Sequence, residues 1–210
     1  MNEQTPKSWY MNFHFLKIDQ EYNRLMSNEK VVAKQEFVST FDTMQNRMPI
    51  ATYALTGLKS DCDILIWRIS KRLEDIHAMS SVLQTSGLGK YLSTVKTYLG
   101  TVNGPRYQET TAPMEGEDEM PKILGRKPYL IVAPMWKNTR LSLPQNDPSK
   151  SAHLHTADST GLDDPDHIIA YETSDPTEFR ELAETWKIDL NTTTYTCILA
   201  GIKEIVDSFG

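Results

Sequence analysis

Cysteine is scarce: Cys62 and Cys197 are the only two in 210 residues, and neither lies in a CxxC or Cys/His spacing. A disulfide framework is excluded, and the usage suits a reducing compartment. Basic residues are in deficit, with 22 Lys and Arg against 28 Asp and Glu for a net charge of −6. No dense basic run offsets that deficit, which argues against a surface built to neutralise nucleic-acid phosphates. Long apolar runs are missing as well. No membrane span is written in the sequence, and Met1 to Tyr10 has a single Lys and no apolar stretch of the kind a secretory signal needs. The chain therefore reads as cytoplasmic, with no membrane or nucleic-acid partner. P-loop, GxGxxG, GxSxG and HExxH spacings are all absent, which removes the sequence-supported NTPase, dinucleotide, serine-hydrolase and zinc-protease readings.

What is present is enough apolar material, 39% of residues, for one large core or two modest ones. Trp9 to Ile18 is aromatic-rich and close to alternating, as a half-buried strand requires. Phe37, Phe41, Met44 and Met48 recur at helical spacing until Pro49 stops them. Ile50 to Leu58 and Asp61 to Ile69 are rich in β-formers around Gly57-Leu58-Lys59-Ser60 and predict neighbouring antiparallel strands. Leu73, Ile76, Met79 and Leu83 mark a second helix ending near Gly87, and Tyr91 to Leu99 returns as a strand. The order is β-α-β-β-α-β. Asn103 to Lys127 then carries three Pro, three Gly and the acidic run Glu115 to Glu119, the composition of an exposed connection. Beyond it, Pro128 to Pro134 and His167 to Glu172 predict strands, Phe179 to Trp186 a helix, and Thr192 to Leu199 a last strand. The fold class is α+β: an N-terminal ferredoxin-like half over 1–105, an exposed linker over 106–126 and a C-terminal ferredoxin-like half over 127–210, whose sheets pack into an α+β barrel.

Chemistry-bearing residues are few. His153 and His155 lie two apart, so an extended backbone would project both on one side, as a zinc or haem-iron site uses them. Two solvated histidines in a loop is the more frequent meaning of that spacing. His14, His77 and His167 fall on patterned strands or helix and read as packing or rim residues. Asp163, Asp164 and Asp166 match the composition of a tight turn and lack EF-hand spacing. Arg106, Tyr107, Lys137 and Arg140 flank the connection and could gather on an anionic ligand, or serve as solvated surface groups.

Four segments resemble the chlorite dismutase family of haem proteins. They are Leu55-Thr-Gly-Leu-Lys-Ser-Asp-Cys-Asp-Ile-Leu-Ile-Trp-Arg68, Thr85-Ser-Gly-Leu-Gly-Lys-Tyr-Leu92, Lys127-Pro-Tyr-Leu-Ile-Val-Ala-Pro-Met-Trp-Lys-Asn138 and Ser159-Thr-Gly-Leu-Asp-Asp-Pro-Asp-His-Ile-Ile-Ala-Tyr-Glu-Thr173. The last is the most specific. The resemblance implies haem b in the C-terminal half, with Lys137 and Tyr107, joined by Arg106, as propionate donors and His155, or His153, as the iron ligand. It also implies a homo-oligomer, a pentamer, and an oxidoreductase acting on a small oxidant such as chlorite or peroxide.

The departures are local. Only Thr156, Ala157 and Asp158 separate His155 from Ser159, where the family carries a helix bearing a distal Arg or Gln, and no residue here matches that cation, which would hold a hypochlorite-like anion near iron. The acidic residue that orients the ligand falls near Asp189 or Asn191. Coproheme decarboxylase chemistry ranks lower, because Ala133 stands where that activity uses a tyrosine. The alternative from another class is a haem-free scaffold or interaction protein that keeps the fold.

Overall fold

A computed structural model describes residues 8–103, 124–136, 154–185 and 193–210. The aromatic alternation at the N-terminus becomes β1 (Ser8–Ile18), followed by a 3₁₀ turn and α1 (Ser27–Gln45). The hairpin β2 (Ile50–Ala54) and β3 (Ile64–Ser70) comes next, then α2 (Leu73–Thr85) and β4 (Leu92–Asn103). The C-terminal part supplies β5 (Tyr129–Met135), β6 (Leu154–Asp158), β7 (His167–Thr173), α3 (Glu178–Thr185), β8 (Tyr195–Leu199) and α4 (Ile202–Asp207).

The hairpin strands are shorter than their apolar runs predict. Leu55 turns its N–H to Asp63 O, and the chain reverses through Gly57, whose φ of +80° is open to glycine at little cost. Strand β6 and helix α4 were not expected. Strand β6 occupies the segment that the histidine spacing left open between extended chain and loop.

All eight strands close one barrel in the order β1-β3-β2-β8-β5-β7-β6-β4, every neighbouring pair antiparallel. Each half contributes four strands with the same internal order, β4-β1-β3-β2 and β8-β5-β7-β6, which is the ferredoxin-like arrangement used twice. Closure gives each described strand a neighbour on both sides. The seams are short: Tyr53↔Leu199 and Ala54↔Ile198 join β2 to β8, and Thr101↔Asp158 joins β4 to β6. The expected linker boundary lies mostly outside the described residues, but Leu124 at its end is 1% exposed and packs into the barrel core.

Because side chains alternate across a strand, one residue set fills the barrel and the other meets the helices. Inside lie Met11, Phe13, Phe15, Tyr53, Trp67, Tyr98, Leu130, Ile168, Ala170 and Tyr195, with Phe13 stacked on Trp67 at 5.5 Å between ring centroids. Outside the N-terminal half, Leu16, Ile64 and Ile66 meet Phe37 and Phe41 of α1, Met79 and Leu83 of α2, and Ile202 and Ile205 of α4. Outside the C-terminal half, Ile131, Ala133, Met135, Leu154, Ile169 and Tyr171 meet Phe179, Leu182 and Ala183 of α3.

The β4–β6 seam depends on Gly100. A Cβ there would stand 2.7 Å from Ser159 Oγ and 2.8 Å from Ala157 Cβ, closer than van der Waals contact allows. Gly100→Ala should therefore cost about 1–3 kcal/mol through forced separation of the strands, measurable as a lowered urea midpoint. An unchanged midpoint would show that the seam can open without penalty.

Candidate functional site

The alternation of β6 and β7 decides where their polar side chains go. On β7, Ile168 and Ala170 face the barrel interior, so Glu172 does too, while Ile169 and Tyr171 face out. On β6, Ala157 faces in and Leu154 faces out, which turns His155 inward. Both polar residues are deeply buried, at 3% exposure for His155 and 0% for Glu172. His155 Nε2 lies 3.3 Å from Glu172 Oε1, and the imidazole meets the Trp67 ring edge-on with centroids 4.8 Å apart.

Glu172 also ties down the chain entering β5. Its Oε2 accepts the backbone N–H of Arg126 and, at 3.1 Å, that of Lys127. Burial pushes the Glu172 carboxyl up, but the His155 contact and these two N–H donors outweigh it and hold the group below the usual carboxylate range. The Tyr53 phenol, beside Glu172, is pushed up by its own burial and by that negative charge. The arrangement is a buried imidazole–carboxylate pair locking strap, sheet and barrel core together.

His155 thus lies on a strand rather than in a loop, on the inner side of the sheet and enclosed by Trp67 and Glu172. His153, Arg106, Tyr107, Lys137, Arg140, Asp189 and Asn191 lie outside the described residues. Glu172 went unrecognised in the sequence, although its spacing from Ile168 and Ala170 carried the signal.

The outer face of β5, β6 and β7 has a different character. Ile131, Ala133, Met135, Leu154, Ile169 and Tyr171 form a continuous apolar shelf beneath α3. At one end the register sets Met135 opposite His167, and His167 opposite Asp158. His167 shares the outward parity of Ile169 and Tyr171, its side chain is 45% exposed, and its Nδ1 lies 3.9 Å from Asp158 Oδ1. The Thr160 backbone N–H holds the Asp158 carboxyl below the usual range, with a smaller contribution from His167. His167 thus occupies a rim, as its strand position suggested.

The Asp-rich turn is structural. Asp163 Oδ2 accepts the Leu99 N–H at 2.8 Å across to β4, and Ser159 N–H donates to Asp166 O. Among the described residues no group of three or more His, Cys, Asp or Glu is placed to hold a metal ion. Cys62 and Cys197 are free and buried, and desolvation pushes the Cys62 thiol up to about 12, so neither is a reactive thiolate at neutral pH. No helix among the described residues is long and apolar enough to cross a membrane.

A second polar cluster lies outside the N-terminal sheet under α2. The buried Arg68 donates from Nε to Asn12 Oδ1 at 2.9 Å and from Nη2 to Ser80 Oγ at 2.6 Å, with His14 Nδ1 at 3.4 Å. These contacts anchor α2 on the sheet.

Comparison with solved structures places this fold among known ones. A mutant chlorite dismutase from Candidatus Nitrospira defluvii matches with a TM-score of 0.72 at 18% identity, over 96% of this chain and 95% of that one. The same organism's chlorite dismutase in complex with imidazole matches at 0.70 and 19%, over 96% and 94%. A protein from Thermus thermophilus described as a novel heme-binding protein matches at 0.71 and 13%, again over 96% and 94%. These likenesses establish the α+β barrel. The family model described as chlorite dismutase matches residues 30–146, more than half of the sequence, and the chain therefore belongs to the chlorite dismutase family.

Proposed function

We propose that this protein is a haem-binding member of its family, an oxidoreductase taking haem b against the outer face of the C-terminal half and reacting with a small oxidant such as peroxide or chlorite. The observation that carries the reading is the shelf. A porphyrin needs a flat apolar wall with polar groups at its margin, and six side chains of β5, β6 and β7 form such a wall with His167 and Asp158 at one end. What supports this face over the inner one is its apolar composition, whereas on the inner one His155 is enclosed against Trp67 and Glu172. Family membership and the heme-binding Thermus relative support the same reading.

Each residue has a separate task in this proposal. Ile131, Ala133, Met135 and Ile169 would exclude water from one macrocycle face. Lys137, Tyr107 and Arg106 are the propionate donors that the resemblance assigns; Lys137 is two residues beyond Met135 in the sequence. Bound haem would supply the iron centre for oxidation of small substrates. The assembly is a homo-oligomer, a pentamer, in the cytoplasm, and light scattering in solution should return a mass of several 24.0 kDa chains.

Haem titration tests the reading. The Soret band should shift and saturate at one haem per chain. Lys137→Ala should weaken binding roughly tenfold or more, the value of a lost charge-assisted hydrogen bond. A spectrum that stays that of free haem would sink the reading and leave the haem-free scaffold, which the enclosure of His155 by Glu172 independently favours.

A further inference from the structure

We propose that Arg68 binds a buried monovalent anion of halide size, seated against its Nη1 group in the layer between the N-terminal sheet and α2. Arg68 shares the outward parity of Ile64 and Ile66 on β3, so its side chain leaves the strand on the helix side, where it is 1% exposed. Burial lowers its pKa only to about 10, and the guanidinium stays a cation at neutral pH. A cation so far from water needs an opposite charge, since an unpaired buried charge is strongly disfavoured. Among the described residues no carboxylate supplies one. The partners of Arg68 are the Asn12 amide oxygen, the Ser80 hydroxyl and the neutral His14 ring, while Asp75 at the start of α2 takes the Ser70 hydroxyl at 3.2 Å instead.

The donors locate the ligand. A guanidinium carries five N–H groups and no acceptor. Nε donates to Asn12 Oδ1 at 2.9 Å, and Nη2 serves Ser80 Oγ at 2.6 Å and His14 Nδ1 at 3.4 Å. The two hydrogens of Nη1 have no partner, although that atom is buried. The groups around Arg68 are themselves fixed: Ser80 Oγ donates to Ile76 O at 3.0 Å, and Asn12 Nδ2 donates to Tyr98 O at 3.1 Å. The fork is therefore held in one orientation, with Nη1 presented as a preorganised donor.

The surroundings set the class of anion. The layer is built from Ile66, Ile76, Met79 and Leu83, all apolar. A phosphate or carboxylate would carry several oxygens into that packing with only Nη1 left to serve them. A monatomic anion neutralises the charge and asks for few donors. The layer also has slack: a cavity of about 10 Å³, lined by His14, Leu16, Ile66, Leu83 and Gln84 among others, adjoins the cluster at His14 and is the size of one water-sized sphere. A neutral water would accept a hydrogen bond from Nη1 and leave the charge uncompensated.

The experiment uses the full chain, with bromide and chloride as probes. Crystals grown in sodium bromide and measured at the bromine absorption edge should show an anomalous peak within hydrogen-bonding reach of Arg68 Nη1. In solution, chloride replacing gluconate, an anion too large for the layer, at constant ionic strength should raise the thermal midpoint and then level off. The rise should be about 3–6 °C once chloride is tenfold above its dissociation constant. Arg68→Met, which removes the charge and keeps the length, should abolish that dependence; if it fails to fold, the bromide peak and the wild-type chloride response decide together. Bromide found elsewhere but not at Nη1, an adventitious ion only, overturns the site. A wild-type midpoint that follows ionic strength whatever the anion overturns it equally.

Discussion

Glu172→Ala is expected to lower the free energy of unfolding by about 3–5 kcal/mol, because several buried polar groups lose the same partner at once. The effect is large because three groups lose their acceptor together. His155 is left in the barrel at 3% exposure beside Trp67, and the Arg126 and Lys127 N–H groups lose Oε2. An unmade buried hydrogen bond costs about 1–3 kcal/mol because water cannot replace the partner. Glu172→Gln keeps an acceptor for the strap and should cost less than the alanine change. A combined His155→Leu and Glu172→Leu replacement should recover part of the loss, since apolar side chains of similar size fill the space without an orphaned imidazole. Urea unfolding of the three variants checks this order. A loss below about 1 kcal/mol for Glu172→Ala would mean that the pair is hydrated and that the barrel interior is wetter than its burial implies.

The same pair shows why the fold was more legible than the site. Strands β1, β3, β5 and β7 announce themselves because their side chains are apolar in long enough runs to fix both existence and direction. Strand β6 has five residues, Leu154 to Asp158, and alternates Leu154, His155, Thr156, Ala157, a pattern equally suited to a turn. Its identity comes from pairing with β7, a tertiary fact. His155 is correspondingly invisible as a core residue: imidazoles enter a core when a partner satisfies them, and its partner lies at Glu172 on the neighbouring strand. Resemblance aligned His155 to an iron ligand by order along the chain, and such an alignment carries no information about which side of a sheet the residue faces. Helix α4 was missed for a different reason. Six residues after Gly201 are too few to display a helical period, and Ile202, Ile205 and Val206 form a helix because α1 and β2 offer an apolar surface to cover.

Acidification should destabilise the fold before carboxylate titration alone would require it, and His14 is the reason. Burial first, and the Arg68 charge second, lower its pKa from 6.5 to about 4. The geometry fixes the neutral form: Arg68 can only donate, so the imidazole Nδ1 at 3.4 Å must accept and the proton sits on Nε2, which meets Thr94 Oγ1 at 2.8 Å. A second proton would have to enter at Nδ1, facing a guanidinium that burial lowers only to about 10 and that therefore stays charged. In the unfolded chain the same histidine protonates near 6.5. Between that pH and about 4 the unfolded state binds the extra proton, so folding stability falls as pH falls through this window and the contribution levels off below it. A shift of this size corresponds to roughly 3 kcal/mol. His14→Gln removes the titration, so the unfolding free energy of wild type minus that of the variant should fall by roughly 3 kcal/mol from pH 7 to below pH 4, passing through zero if the variant costs less than that at neutral pH. A difference that stays constant across those pH values would show that His14 accepts its proton in the folded state as readily as in the unfolded one, which the Arg68 contact forbids.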